Sequence, residues 1–185
     1  MLRDAVLQAA ARDDVHAAVR RVYADLQREI DLRKPVCTAS GRCCRFEDFG
    51  HRLYITTIEL AAFVRDLQPG DRAAADPGNT AGCPFQLAGL CSVHAIRPFG
   101  CRVFFCDATS DDWQHEQYER FHAQLKRLHE ELGVPYQYVE WRHALRELGD
   151  AVLPPAAGES GGNATRGIEA RSSPRRRLSL PQLPF

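Results

Sequence analysis

At 185 residues the chain suits one domain with some length to spare. Hydrophobic residues make up 44% and charged residues 26%, enough apolar material for an ordinary core. The formal net charge is zero, so no global field draws the protein to nucleic acid or to an anionic membrane. No apolar run approaches the roughly 18 residues of a membrane-spanning helix.

The first 34 residues read as a helical segment. Val15, Val19, Val22, Leu26 and Ile30 recur at spacings of three and four, the period of one buried helix face. Asp13 or Asp14 is the expected cap, with a shorter helix before it, and Pro35 ends the element. Met1 to Arg12 lacks an apolar stretch of secretory length, so a cytoplasmic setting is expected. Residues 36–50 read as a loop carrying Cys37, Gly41, Cys43 and Cys44. Leu53 to Thr56 is the first candidate strand. Thr56 and Glu59 have the spacing of a capping box, predicting a helix that buries Leu60, Phe63, Val64 and Leu67. Pro69-Gly70 stops that helix, and residues 70–82 read as an exposed loop.

Ala88-Gly89 between two short apolar arms predicts a tight hairpin, with Cys83 on one arm and Cys91 on the other. His94 to Arg97 fits one helical turn. A long helix is expected over Asp111 to Leu132, burying Trp113, Gln117, Phe121, Leu125, Leu128 and Leu132, with Ser110 or Asp111 as cap. Gly133 and Pro135 end it. A last helix is predicted over Val139 to Leu148. From 150 to 185 the chain is rich in Pro, Gly, Ser and Arg, and this composition predicts a disordered tail. The fold expected from this pattern is mainly α with minor β. Helices flank a small irregular cysteine-rich core holding a short hairpin, within a domain spanning 35–149.

The cysteines carry the chemistry. There are seven, Cys37, Cys43, Cys44, Cys83, Cys91, Cys101 and Cys106, spaced C-x5-C-C and then C-x7-C-x9-C-x4-C. The odd count, the adjacent pair and the expected reducing compartment argue against a disulfide framework. Thiolates gathered by loops and turns suit zinc in a tetrahedral site or an iron–sulfur cluster, each of which takes about four protein ligands. Seven thiols exceed one such site and fall short of two separate ones. A bridging thiolate or a histidine would complete the second, with His94 the first candidate and His51 the next. In an extended segment Cys43 and Cys44 point oppositely, so one of them is open to a role in the core instead. Arg97 and Arg102 flank Pro98 and Cys101, where guanidinium groups would offset the negative charge of a metal–thiolate site.

Gly41-Arg42-Cys43-Cys44-Arg45, the Thr57-x-Glu59 helix start, Cys83-Pro-Phe, Leu90-Cys91-Ser-Val and Arg97-Pro98-x-x-Cys101-Arg102-x-Phe104-x-Cys106 together resemble the YkgJ-type cysteine-cluster family. The resemblance covers roughly residues 35 to 107. It implies a zinc- or iron-chelating domain that uses these seven cysteines. Some relatives are labelled iron–sulfur oxidoreductases, and a related cluster occurs in flagellin lysine N-methylases.

Three functions compete at this level. The first is a metal-binding module, meeting an unknown protein or redox partner. The second is an enzyme, either an iron–sulfur-dependent oxidoreductase or a protein-lysine N-methylase of the flagellin-modifying kind. No glycine-rich nucleotide fingerprint and no separate nucleophile arrangement supports the second. The third is a metal-free redox sensor, which requires an exposed low-pKa cysteine with a resolving partner.

Overall fold

The computed structural model describes residues 1–154. It is mainly helical with minor β structure, as the apolar periodicity predicts. Helices α1 (Leu2–Ala10) and α2 (Asp13–Arg33) are separated by Ala11 and Arg12, the latter in an extended conformation. Arg12 is therefore the cap residue, and Asp13 and Asp14 sit in the first turn, where carboxylates complement the helix dipole. The Arg12 guanidinium also donates to the Leu132 carbonyl at 2.9 Å, tying this corner to the far end of a later helix. Val15, Val19, Val22, Leu26 and Ile30 are all buried, as their spacing requires. Lys34 ends α2 in the left-handed conformation just before Pro35.

The segment after α2 forms a single 3-10 turn at Arg42–Cys44 and a four-residue helix α3 (Phe46–Phe49). Strand β1 (Tyr54–Thr56) leads directly into α4 (Thr57–Asp66) through the predicted capping box. Leu60 and Phe63 are buried, whereas Val64 and Leu67 are half-buried. Pro69 does more than stop α4. It opens a further helix, α5 (Pro69–Ala74), so the expected loop over 70–82 begins as helix. Proline is well suited to this first helical position because its missing N–H would have no intrahelical partner.

Strands β2 (Gln86–Leu87) and β3 (Leu90–Cys91) form the hairpin around Ala88-Gly89. Cys91 lies on its second arm, but Cys83 precedes the first arm by three positions. The expected turn after Val93 is a 3-10 turn, His94–Ile96, and α6 (Phe99–Val103) follows it. Helix α7 (Asp111–Leu132) runs its predicted length and ends at Gly133 in the left-handed conformation.

Sequence periodicity misses one strand. Tyr138–Glu140 is β4 rather than the start of the last helix, which begins only at Trp141 as α8 (Trp141–Leu148). β4 pairs antiparallel with β1 in the register Tyr54↔Glu140, Ile55↔Val139 and Thr56↔Tyr138. Three residues are too few for a period of two to declare itself, and the partner lies more than half the described chain away. Past α8, Val152 and Leu153 are buried, so the packed structure continues beyond the expected tail boundary at 150. The remainder of that tail lies outside the described residues.

α1 packs against α4 and α8, while α2 lies against α4 and α7. Their shared core includes Val6, Val19, Leu26, Ile58, Leu60, Phe121, Leu125 and Leu148, all at most 1% exposed. Each fully buried aliphatic or aromatic side chain contributes about 1.5–3 kcal/mol relative to exposure. The helices thereby fix a rigid frame, and the loops from 37 to 106 lie against it.

His129 makes this frame sensitive to acid. It is 2% exposed, and its Nδ1 lies 3.0 Å from the Val134 carbonyl, which calls for the neutral ring with its proton on Nδ1. Burial lowers its pKa below the ordinary 6.5, so the unfolded chain takes up the proton first. Its contribution is therefore full above the unfolded pKa and is lost as the pH falls toward the folded one. Thermal melts across this range should show stability declining on acidification, with a shallower decline in His129→Gln.

Candidate metal centre

The two cysteine groups meet because backbone contacts dock their loops. Cys83 N–H donates to the Cys44 carbonyl at 2.8 Å, and Glu47 N–H donates to the Ala81 carbonyl at 3.0 Å. Gln86 Nε2 reaches across to the Gly41 carbonyl at 3.0 Å, joining the first loop to the hairpin. Gly41 itself has φ +68°, and a Cβ there would stand 2.1 Å from the Gly89 carbonyl oxygen. Only glycine satisfies both the left-handed backbone and the close approach. Gly41→Ala should therefore separate the hairpin from the first cysteine loop. The expected cost is about 1–3 kcal/mol in denaturant unfolding, from backbone strain and the displaced contacts.

All seven cysteines are free thiols, and they divide by burial. Cys44 and Cys83 are buried, Cys43, Cys91 and Cys101 are half-buried by surface exposure, and Cys37 and Cys106 are exposed. The Cys44 thiol sits at the centre of the inner group, interacting with those of Cys43, Cys83 and Cys91. A thiol has one proton to donate, so these four titrate as a set rather than as independent groups. Proximity to Cys44 favours the thiolates of Cys43, lowered to about 6, and of Cys91, lowered to about 7. The same neighbour lowers Cys83, while Cys44 itself is raised and keeps its proton.

Cys101 stands beside this group and feels the charges of Cys83, Cys43 and Cys91, but burial is the larger cause that pushes its thiol up. Among the described residues, no three Cys, His, Asp or Glu side chains are yet gathered as tightly as a bound ion requires.

Cys37 and Cys106 lie on the outer side. Val36 N–H donates to Asp107 Oδ2 at 3.1 Å, and Ser40 Oγ lies 3.6 Å from Cys106 Sγ, so the two cysteine-bearing strands of chain run side by side. Both thiols line a cavity of about 110 Å³ whose other walls include Cys43, Cys44, Cys91 and His94. The outer thiols thus face the inner set across a small void.

His94 borders that void, but its Nδ1 is engaged by the Arg97 guanidinium at 2.8 Å. His51 lies elsewhere. Its Nε2 is 3.3 Å from the Cys43 carbonyl, and its ring is parallel to that of Phe104. Arg97 also donates to the Cys101 carbonyl at 3.2 Å, and its positive charge favours the thiolate forms of Cys43 and Cys91. Arg102 points into the core instead. It is 8% exposed, donates to the Ala95 carbonyl at 2.8 Å and covers the Tyr23 ring.

Trp141 is the site residue that the sequence pattern does not announce. Its indole N–H donates to Cys83 Sγ at 3.3 Å, while its ring packs edge-on against Phe63. The contact depends on the β1–β4 pairing, which delivers the start of α8 to the cluster. Missing β4 in the sequence therefore means missing this donor as well.

No family model matches this chain. No curated protein and no solved structure matches it significantly either. The functional reading therefore rests on the residues and their geometry.

Proposed function

We propose that this protein is a metal-chelating cysteine-cluster protein of the YkgJ type, binding zinc or an iron–sulfur cluster through its inner thiols. The meeting of the two cysteine groups, with Cys83 N–H on the Cys44 carbonyl and Cys43, Cys44 and Cys91 around one small cavity, carries the reading. Those residues come from two groups separated by 38 positions, and the backbone bonds between Cys44 and Cys83 hold the groups together. Four thiols brought into one region would match the donor number and softness that either group takes once drawn together by the metal.

Three of the four donors fit in their acid–base chemistry as well, and Cys44 would give up its proton on binding. A metal ligand must be a thiolate, and Cys43, Cys83 and Cys91 all lie below the ordinary thiol range. Arg97 supplies positive charge near the set, and Trp141 supplies a hydrogen bond to one sulfur, both of which stabilise accumulated negative charge. Cys101 adjoins the set as a fifth sulfur. Cys37 and Cys106 face it from the outer wall, placed to admit or release an ion. Zinc would act there as a structural or stored ion, and an iron–sulfur group would supply electron transfer.

Among the described residues no helix is long and apolar enough to cross a membrane. We place the protein in the cytoplasm, where free thiols persist and a protein or redox partner would meet the exposed outer pair.

Purification under anaerobic conditions, followed by elemental analysis and an absorption spectrum, tests this reading. Iron with sulfide and a broad absorption toward the violet identifies a cluster, and zinc in colourless protein identifies a zinc site. Folded protein that contains neither metal and takes up neither on reconstitution refutes it.

A further inference from the structure

A second cavity, of about 300 Å³, shares Cys43 and Phe104 with the first as lining residues. Its floor includes the thiol-bearing residues Cys43 and Cys101, and its walls come from β1, α6 and α7. This volume is at the small end of the range for small-molecule sites. The lining is predominantly carbon, with the rings of Tyr54, Phe104 and Tyr118 around it. Tyr54 and Phe104 are 41% and 44% exposed, so their rings remain accessible to an occupant. Tyr118 is held in place through its hydroxyl contact with Tyr138 and by its ring packing on Phe99.

Gly100 shapes one wall. A Cβ at that position would meet Leu53 Cδ1 at 2.6 Å, so the bare backbone lets α6 close against β1 without filling the space.

The mouth carries charge of one sign. Arg52 lines it and is exposed, and among the described residues no carboxylate lies within ion-pair distance of its guanidinium. Most other arginines in the fold are engaged, including Arg45, Arg97, Arg102 and Arg142. A free guanidinium at the mouth of an aromatic-lined cavity is matched to a planar carboxylate, which it can grip with two parallel hydrogen bonds. The ring of such a ligand would lie among the aromatic side chains.

We propose that this cavity is a binding site for a small aromatic carboxylate, held with its ring inside and its carboxylate on Arg52. The occupant would rest against Cys43 and Cys101, so binding would be felt at the cysteine cluster. The cavity is formed with all seven thiols free, so the proposed binding does not require a bound metal.

Backbone amide NMR of the protein as purified, titrated with benzoate and separately with benzamide, tests the proposal. Benzoate should shift the amides of His51 to Tyr54, Gly100 to Val103 and Gln114 to Tyr118. Its dissociation constant should be about 1 mM or tighter, and at least about tenfold below that of the neutral benzamide. Arg52→Gln should remove that preference, and Arg52→Lys should restore part of it. Arg52 is exposed, so neither variant removes packing from the core. Equal affinity for the two probes, unchanged benzoate binding in Arg52→Gln, shifts confined to other regions, or no shifts up to about 10 mM would each overturn the proposal. The metal content of the same sample reports on the cluster separately.

Discussion

Cys44→Ser is expected to abolish tight metal binding. Cys44 is 4% exposed and interacts with Cys43, Cys83 and Cys91, so its loss removes the centre of the set rather than one edge. Serine preserves the size of the side chain closely, but its hydroxyl does not ionise in the range where thiols do. Loss of an inner ligand should weaken metal binding by about two orders of magnitude or more, beyond the range usual for partners of ligands. Cys37→Ser and Cys106→Ser replace exposed thiols on the outer wall, and each should cost less than about tenfold. Competition titrations against a chromophoric chelator measure all three. Circular dichroism confirms that each variant is folded, and Cys44→Ala provides a check on the polarity of serine in a buried site. Equal losses for the inner and outer variants would show that the division by burial has no bearing on binding.

The second large effect is expected at Glu59. This carboxylate is 2% exposed, and four donors surround it. Oε2 accepts from Thr56 N at 3.0 Å and from Thr56 Oγ1 at 2.8 Å. Oε1 accepts from Phe99 N at 3.1 Å and, more weakly, from Tyr23 OH at 3.4 Å. One side chain thus caps α4, satisfies the first turn of α6 and reaches α2. Those helices carry the frame against which the cysteine loops lie.

Glu59→Ala leaves these donors buried without an acceptor. At about 1–3 kcal/mol for each unsatisfied group, partly offset by relaxation and water entry, the total should reach about 3–5 kcal/mol. Glu59→Gln keeps the volume but turns an amide N–H₂ toward either Thr56 N–H or Phe99 N–H, and it should cost about 1–3 kcal/mol. Urea denaturation measures both, and a loss within about 0.5 kcal/mol for the alanine variant would contradict this role.

The same residue carries a pH signature opposite to that of His129. Burial raises the Glu59 pKa above 4.5, with the four hydrogen bonds opposing. The folded state therefore binds this proton more tightly than the unfolded state. The resulting stabilisation is full below the unfolded pKa and is lost as the pH rises through the folded one. The stability gap between the natural protein and Glu59→Gln should accordingly narrow with rising pH over that interval.

The helices were legible in the sequence because each buries one continuous face. The three- and four-residue spacing of Val15 to Ile30 marks α2, and Phe121 and Leu125 anchor α7 in the same way. The capping box at Thr56 and Glu59 was legible as a local motif, but the wider role of Glu59 was not. Its contacts with Tyr23 and Phe99 span 36 and 40 positions, and no local pattern encodes them. The cysteine region was legible as a composition. Its internal division was hidden, because burial of a thiol depends on which loop covers it. Trp141 and β4 were invisible for a related reason, since a three-residue strand acquires its meaning only from a partner elsewhere in the chain.

The central claim is that the inner thiols hold the metal. X-ray absorption spectroscopy at the metal edge of the natively purified protein tests it most directly. The account predicts a coordination shell made chiefly of sulfur, with its intensity reduced or its composition changed in Cys44→Ser. A shell of nitrogen and oxygen alone, or an edge spectrum unchanged by that substitution, would contradict it.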